Sequence, residues 1–351
     1  MINADKIMEE VDCDYLVIGA GSSGCVVTSR LVRLGLKVVL IEGGPVNAYK
    51  HPHVRRPHLW IKAASSGTPI SEPFLTVPQE HLNSRRIPAY RGLGAGGTSN
   101  VNASLYFRGR KDDYQGHWPW DLKDIQSSFE AVESELELEE YESPGYFGDT
   151  FATMMGQAGF TTEASGGRTS PWTEEGLQKK WMCTTTSGGE RQTAWEGFIN
   201  PLLAMPNLEI RDDTMATKIL VEDGRAVGVE LLQQRGRGRG CRITQLRLKR
   251  TGAEVILCGG VFRTPKLLML SGIGPRQHLD EMKIPVLVES EQVGCNLQDH
   301  LLISTATLNK KTVTAEDCTE DGCHGHLHFS VPTSPPTARE PASPPPPPPP
   351  P

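Results

Sequence analysis

A glycine-rich turn near the start of the chain constrains the fold more than any other feature. Gly19, Gly21 and Gly24 follow an apolar run, Tyr15 to Ile18, and open a stretch with helical character, Ser23 to Leu34. In this GxGxxG spacing the first glycine allows a tight turn, the second lets the backbone approach a pyrophosphate, and the third lets the helix pack on its strand. The helix N-terminus then offers unpaired N–H groups to phosphates. The pattern predicts a parallel α/β sheet that binds an adenine dinucleotide.

An acidic residue follows the second predicted strand of this unit. The strand, Lys37 to Ile41, is followed by Glu42, which lies 42 − 24 = 18 residues beyond the last glycine of the turn. This is close to the spacing of the acid that accepts hydrogen bonds from ribose hydroxyls. An ordinary strand, turn and helix can carry the same glycines. The motif alone does not choose between NAD and FAD.

A second glycine-rich segment indicates which dinucleotide is bound. Residues Tyr90 to Gly109 read YRGLGAGGTSNVNASLYFRG, so that Thr98, Ser99 and Asn102 offer short polar side chains beside the glycines. Glycines let a backbone lie against a planar or anionic ligand. The segment resembles the first signature of the glucose-methanol-choline (GMC) oxidoreductases, a family of FAD-dependent enzymes. That resemblance favours FAD.

Two later segments resemble the same family in the same order. Glu254 to Pro275 reads as a buried strand, a double-glycine turn and a helix, with Thr264 predicted as the N-cap and Pro265 as the first helical residue. It is similar to the family's second signature. Val293 to His300, VGCNLQDH, matches a third motif.

The resemblance implies an α/β fold with a Rossmann-like FAD-binding domain, an antiparallel β-meander insertion and an incomplete α+β substrate domain. We assign residues 12–307 to the N-terminal FAD-binding region of the family, with a substrate-side insertion at roughly 139–193. The meander would include a hairpin over Thr217 to Leu232, which turns at Asp223-Gly224. Residues 308–351 do not match and end in eight consecutive prolines, so we predict a disordered, proline-rich tail.

The resemblance also implies which residues hold a cofactor. The pyrophosphate would contact the turn and Thr98, Glu42 would bind the ribose, Asn102 and its neighbours would flank the isoalloxazine, and the backbone near Ala216 would lie beside the adenine. In some family members a His before the conserved Asn attaches FAD covalently, but this chain has Val101 there, so we expect non-covalent FAD. The predicted cofactor-binding residues are Gly19, Gly21, Ser22, Ser23, Gly24, Glu42, Gly97, Thr98, Asn102, Ala103, Leu105 and Ala216.

The predicted activity is FAD-dependent oxidation of the CH–OH group of a small alcohol, as in choline dehydrogenase, with hydride passing from the substrate carbon to flavin N5. The family's catalytic His lies in a C-terminal motif that this sequence lacks, which predicts a truncated member of the family. None of the ten histidines matches the position of that catalytic His. His300 lies in the third motif, where we expect a structural role, so we assign no catalytic residue. The alternative is a catalytically incomplete flavin-binding remnant or a partner protein. The motifs are equally compatible with an oxidase, a dehydrogenase and a lyase.

Composition and charge limit the other partners. The formal net charge of −6 argues against nucleic-acid binding, and a short Arg-Gly run, Gly236 to Gly240, is better interpreted as a solvated hairpin tip. No apolar run is long enough for a transmembrane helix, and no secretory signal is evident. We therefore expect a cytoplasmic protein, with a mitochondrial location as the alternative.

Two features near the C-terminus suggest further ligands. The cysteines and histidines between Cys318 and His328 could be drawn as metal ligands, but no periodic scaffold surrounds them, and we assign no metal site. The proline tract at Pro332 to Pro351 could dock on an aromatic groove of another protein. The absence of flanking basic residues weakens that alternative.

Overall fold

The computed structural model describes residues 6–65, 67–142, 153–154, 156–159, 172, 176–178, 180–185, 188–234, 241–299 and 328–330. They fall into two compact units. The first comprises Met1–Tyr106, Lys123–Glu139 and Cys183–Asn309, and the second comprises Phe107–Leu122, Glu140–Met182 and Lys310–Pro351. Every residue predicted to bind the cofactor belongs to the first unit. The Arg-Gly run, His300 and the proline tract lie outside the described residues.

Short strands alternate with helices along the chain. The strands are β1 (Lys6–Val11), β2 (Tyr15–Ile18), β3 (Val38–Ile41), β4 (Ser71–Leu75), β5 (Pro88–Gly92), β6 (Leu105–Tyr106), β7 (Glu139–Glu142), β8 (Gly176–Gln178), β9 (Lys180–Cys183), β10 (Leu208–Arg211), β11 (Thr214–Glu222), β12 (Arg225–Gln234), β13 (Cys241–Leu248), β14 (Glu254–Leu257), β15 (Ile273–Gly274), β16 (Val288–Glu289) and β17 (His328–Ser330). The α-helices with both ends described are α1 (Ser22–Arg33), α2 (Pro52–Arg55), α3 (Trp60–Ala64), α4 (Leu122–Glu133), α5 (Gly260–Leu270) and α6 (Arg276–Glu281).

Short 3₁₀-helical turns and one π-helical turn connect several of these elements. A turn of π-helix, Trp195–Ile199, lies beside α1. The 3₁₀ turns are Ala48–Lys50, Pro57–Leu59, Glu80–Leu82, Gly97–Asn100, Lys111–Asp113 and Asn200–Leu202. The turn at Gly97–Asn100 contains part of the second glycine-rich segment and therefore shapes the predicted cofactor site.

A four-stranded parallel sheet forms the centre of the first unit, in the order β10-β3-β2-β14. Tyr15 pairs with Val38 on one side and with Glu254 on the other, so that β2 is central. The N-terminal turn and the later strand Glu254–Leu257 thus meet at one sheet. A mixed α/β fold, with parallel and antiparallel sheets, is confirmed.

A second sheet covers one face of the first. Strands β11, β12 and β13 form an antiparallel meander, and β1 joins it parallel to β13. The hairpin predicted over Thr217 to Leu232 is present and longer, since its strands span Thr214–Glu222 and Arg225–Gln234. Asp223 and Gly224 form its turn, with φ values of 48° and 75° that suit this tight connection.

Alternation of side chains along β2 and β3 gives the parallel sheet two buried faces. Val17 and Leu40 pack on one side with α1 and the π-turn, whereas Leu16 and Ile41 pack on the other with the meander. Side chains of a strand point alternately to opposite faces, so a strand buried on both sides must be apolar throughout. The sequences YLVI and VVLI satisfy this condition. The first unit is therefore a three-layer structure.

The helix after the last parallel strand begins earlier than predicted. Helix α5 starts at Gly260, with Gly259 as its N-cap, so Pro265 lies inside the helix and Thr264 is not the cap. A proline at this position leaves the carbonyl four residues earlier without its helical partner. That residue is Val261, which is 69% exposed, so solvent can satisfy the carbonyl and the helix tolerates the proline. The prediction was wrong because it treated Pro265 as a start signal.

The second unit contains an aromatic cluster and a short strand pair. The ring centroid of Tyr114 lies 5.9 Å from that of Trp172, and the Arg108 guanidinium lies 5.5 Å from the Trp172 centroid. Strand β17 pairs antiparallel with β8. No helix in the described ranges is both long enough and apolar enough to cross a membrane.

A buried serine joins the meander to α5 and provides a test of this packing. Ser271 Oγ accepts a hydrogen bond from the Ile219 N–H at 2.8 Å and donates one to the Leu267 carbonyl at 2.6 Å. We expect Ser271→Ala to lower the free energy of unfolding by about 1–3 kcal/mol, because the buried Ile219 N–H loses its partner. Chemical denaturation followed by circular dichroism measures this change.

The matched control is Ser128→Ala on α4. The Ser128 hydroxyl also bonds the carbonyl four residues earlier, but at an exposed position. Its removal should change the free energy of unfolding by no more than about 0.5 kcal/mol. Equal effects of the two substitutions would contradict the role assigned to Ser271.

Candidate cofactor site

The N-terminus of α1 has the properties of an anion-binding site. Its N-cap, Gly21, supplies no side chain to bond the first N–H groups, and Ser22 and Ser23 are exposed. The positive end of a 12-residue helix is thus open to a ligand. A Cβ atom at Gly24 would lie 1.8 Å from the Gly19 carbonyl oxygen, so only glycine lets the helix approach this turn so closely.

The second glycine-rich segment lies directly against this turn. A Cβ atom at Gly97 would lie 2.6 Å from Gly21 Cα, and Gly97 has a φ of 53°. The Gly96 N–H donates to the Ala20 carbonyl at 2.9 Å, which fixes the two backbones side by side. The structure therefore brings together two segments that are about 75 residues apart in sequence, as expected if both line one ligand.

Glu42 connects the loops of this site through a single buried carboxylate. Its Oε2 accepts the Ala20 N–H at 2.9 Å, and its Oε1 accepts the N–H groups of Gly44 and Gly94, each at 3.0 Å. The residue is 7% exposed. A carboxylate offers about four acceptor positions, so these three bonds leave one at Oε2. The ribose contact predicted for Glu42 would have to use that position.

The remaining predicted residues of the second segment lie at different depths. Thr98 and Asn102 are exposed, and Ala103 and Leu105 are partly buried. Thr98 Oγ1 accepts the Gly92 N–H at 3.2 Å, whereas Asn102 Oδ1 accepts the Ser104 N–H at 3.0 Å. These bonds fix the side chains of Thr98 and Asn102 at the exposed edge of the loop.

The strand predicted to lie beside the adenine begins next to Glu42. The Thr214 N–H donates to the Glu42 carbonyl at 2.9 Å, and the Asp213 N–H donates to the Gly44 carbonyl at 3.0 Å. Ala216 follows two residues later, at a register shift in the pairing of β11 with β12. A β-bulge interrupts the ladder locally and leaves backbone groups free for other partners.

Two arginines near the site share one carboxylate. Arg91 Nε donates to Glu72 at 2.7 Å, Arg263 Nε donates to the same oxygen at 3.1 Å, and a second nitrogen of Arg263 contacts the other oxygen. Arg91 also donates to the Gly259 carbonyl at 2.9 Å. Burial lowers the pKa of both guanidinium groups, and the charge of Glu42 opposes that shift. The cluster carries an excess positive charge beside the glycine-rich loops.

Sequence reasoning missed these arginines and a third, Arg191. Arg91 and Arg263 lie inside the two matched segments, so their charge was a signal that could have been used. Arg191 lies in the range assigned to the substrate side, yet its guanidinium bonds Asn102 Oδ1 at 2.6 Å and thus supports the second glycine-rich segment. No feature of the sequence indicates that Arg191 lies near Asn102.

The residues present fit a dinucleotide. The open helix N-terminus suits a diphosphate, Glu42 retains one acceptor position for a hydroxyl, and the glycine contacts leave the loop backbone bare of side chains. Val101, at the position of the covalent His, is 4% exposed and packs in a small apolar cluster. Among the described residues no group of three or more potential ligands is arranged to hold a metal ion. The side chains of His300 and of the C-terminal cysteines and histidines are outside the described part of the chain.

Comparison with known proteins identifies the family. The family model described as GMC oxidoreductase matches residues 13–302, and this chain belongs to that family of FAD-dependent oxidoreductases. Similar proteins include an alcohol dehydrogenase [acceptor] of Pseudomonas putida, 33% identical over 313 residues, and an oxygen-dependent choline dehydrogenase of Rhizobium rhizogenes, 32% identical over 321 residues. Each alignment covers 83% of this chain, but only 54% and 53% of the two relatives. The chain thus spans about half the length of the curated relatives it matches.

Solved structures share the fold of this chain. Pyridoxine 4-oxidase from Mesorbium loti superposes with a TM-score of 0.68 at 21% identity, over 79% of this chain and 55% of the other. A formate oxidase variant from Aspergillus oryzae gives a TM-score of 0.64 at 22% identity, over 81% of this chain and 51% of the other. At these identities the likeness concerns the fold alone.

The Glu42 carboxylate can be tested without any cofactor. In Glu42→Gln the amide keeps one acceptor oxygen but turns its NH₂ group toward a backbone N–H. We expect the free energy of unfolding to fall by about 1–3 kcal/mol, because a buried backbone donor loses its partner. Denaturant titration of the cofactor-free chain measures the change.

Glu209→Gln is the control for this experiment. Glu209 also bonds a neighbouring group, Arg211, but its side chain is 51% exposed. Such surface ion pairs contribute about 0–1 kcal/mol. The role of Glu42 as a buried connection would be refuted if both variants were equally stable.

Proposed function

We propose that this chain binds FAD non-covalently and serves the two-electron oxidation of the CH–OH group of a small alcohol. The single observation that carries the proposal is the close approach of Gly97 to Gly21 beside the uncapped N-terminus of α1. Two bare backbones and a helix dipole at one place suit a ligand that is both long and anionic. FAD, when bound, supplies the acceptor for two electrons from the alcohol.

The chain's own residues would hold successive parts of the cofactor. Ser22 and Ser23 present backbone N–H groups to the diphosphate, and Glu42 uses its remaining acceptor position for the ribose. Thr98 faces the diphosphate from the opposite loop. Asn102, Ala103 and Leu105 flank the isoalloxazine, and the backbone at Ala216 lies beside the adenine. The Arg91 and Arg263 pair favours the anionic ligand through its excess charge.

Val101 supports the non-covalent part of the proposal. Its side chain is hydrocarbon and is buried with Ala48, Val54, Ala63 and Ile70. It has no nucleophilic atom to form a bond with the flavin ring. Denaturation of the flavin-loaded protein should therefore release all of the FAD into the supernatant.

The relatives support an alcohol as the substrate class. Their names specify an alcohol dehydrogenase and an oxygen-dependent choline dehydrogenase. We extend to this chain only what the two names share, which is a hydroxyl-bearing donor. We propose that the predicted substrate-side insertion, residues 139–193, contributes to an α+β substrate domain.

An absorbance spectrum tests the proposed function directly. The purified chain, offered FAD and then freed of excess, should retain oxidised flavin absorbance, which should bleach when a primary alcohol or choline is added without oxygen. Bound flavin that stays oxidised with a panel of such alcohols would contradict the redox activity and favour a flavin-binding protein without turnover. A colourless protein would refute the FAD site itself.

Gly97→Ala tests where the flavin binds. The new methyl group would meet Gly21 Cα at 2.6 Å, so the two loops must separate, and we expect flavin occupancy to fall at least tenfold. Gly224→Ala is the control, because Gly224 also has a positive φ, 75°, but no atom lies within 4 Å of its added Cβ.

The control isolates the contact from the backbone effect. Gly224→Ala should cost about 1–2 kcal/mol of stability through its φ value but should retain flavin. Flavin occupancy is measured from the ratio of absorbance at the flavin and protein bands. Normal occupancy in the Gly97 variant would show that the two loops do not meet at the cofactor.

A further inference from the structure

Arg191 is a fully buried cation at the base of the second glycine-rich segment. Its exposed fraction is 0%, and its guanidinium uses four of its five N–H groups. Nε donates to the Val54 carbonyl at 3.0 Å, and Nη1 donates to the Ser99 carbonyl at 3.1 Å and to Asn102 Oδ1 at 2.6 Å. Nη2 donates to the Asn102 carbonyl at 2.7 Å. All four acceptors are neutral oxygens.

The neighbouring carboxylates are engaged elsewhere. Glu190 and Glu196 both pair with Arg55, and Glu196 also accepts the N–H and hydroxyl of Thr193. Arg55 and the two carboxylates together have one net negative charge, but neither carboxylate bonds the Arg191 guanidinium. Arg191 forms no ion pair with any carboxylate of the described residues. Burial lowers the pKa of its guanidinium to about 10, so the group is still a cation at neutral pH. A buried charge without a counter-charge is costly, which suggests that a ligand supplies one.

The position of the Arg191 charge indicates which part of the ligand it would act on. Arg191 donates to both oxygens of Asn102, the side-chain Oδ1 and the backbone carbonyl, and Asn102 begins the stretch proposed to flank the isoalloxazine. The other two arginines, Arg91 and Arg263, have the Glu72 carboxylate between them. Of these three arginines, Arg191 is therefore the one that contacts no carboxylate and whose charge can act on the flavin end of the site.

We propose that Arg191 is a positioning residue that fixes Asn102 and directs a positive charge, which no carboxylate contacts, toward the isoalloxazine, so that the site prefers reduced to oxidised flavin. This inference rests on the proposed function. The alcohol would transfer two electrons and one proton as hydride, and its hydroxyl proton would leave to solvent. Neutral oxidised flavin then becomes a monoanion, whose charge Arg191 balances.

A purely structural role for Arg191 makes a different prediction. A clamp that only orders the loop would change the affinities for oxidised and reduced flavin equally, so the midpoint potential would stay constant. A charge that acts on the flavin would change the ratio of those affinities. The midpoint potential of bound flavin therefore separates the two roles, independently of turnover.

The test compares Arg191→Lys, which keeps the charge, with Arg191→Gln, which keeps hydrogen-bond donors but is neutral. FAD-loaded variants are reduced stepwise with dithionite, without oxygen, beside a reference dye. We expect the ratio of the affinities for reduced and oxidised flavin to be at least tenfold lower in the Gln variant than in the native chain. That change lowers the two-electron potential by about 30 mV. The Lys variant should stay close to the native potential.

Arg211→Gln is the matched control. Arg211 also lies in the first unit but pairs with two carboxylates, Glu9 and Glu209. Its loss should leave the flavin potential unchanged. If Arg191→Gln does not fold, Arg191→Met provides the second test, because an unbranched apolar side chain removes the charge and fills the buried space. This variant should also lower the potential.

Three outcomes are distinguishable. A lowered potential in the neutral variant, restored by Lys, supports the inference. A native potential in the Gln or Met variant, with FAD bound, overturns the inference and leaves the proposed function intact. A native chain that takes up no FAD overturns the proposed function, and this inference with it.

Discussion

The three hydrogen bonds to the Glu42 carboxylate are the interaction on which the candidate site depends. The donors are the N–H groups of Ala20, Gly44 and Gly94 in three loops, and Glu42, which accepts all three bonds, follows the end of a central strand. Backbone N–H groups that converge on one point would otherwise be buried without partners. One carboxylate satisfies all three because a charged acceptor forms stronger bonds than a neutral one. The loops are therefore positioned by the sheet before any ligand arrives.

The three-layer packing gives that carboxylate a fixed position. Strand β3 is buried on both faces, by α1 and the π-turn on one side and by the meander on the other. A one-residue shift in its register would turn Glu42 to the opposite face of the sheet, away from the three N–H groups. The glycine contacts then set how closely the two loops can approach each other. Stability of the sheet and geometry of the site are thus parts of the same arrangement.

Local patterns in the sequence were sufficient to predict three of the four parallel strands, the first helix and the hairpin, but not the edge strand Leu208–Arg211. The strand Tyr15–Ile18 has the predicted bounds, and α1 begins one residue before its predicted start. Helix α5 was predicted wrongly, since solvent exposure at Val261 decides whether Pro265 is tolerated, and exposure is a tertiary property. Arg191 could not be predicted to lie near Asn102, because that contact joins residues 89 positions apart and belongs to no motif.

The charges around the site differ in how far opposite charges balance them. The helix N-terminus and the arginines both contribute positive potential to the same loops. Glu42 is negative, and its charge acts on Arg91 and Arg263 although three N–H groups bind its oxygens. Arg91 and Arg263 share one carboxylate, and Arg191 has neutral partners among the described residues. Together with the positive end of α1, these groups leave an excess of positive potential along the loops. A neutral ligand would leave that potential uncompensated, whereas a dinucleotide brings negative charge at its diphosphate and, once reduced, at its flavin ring.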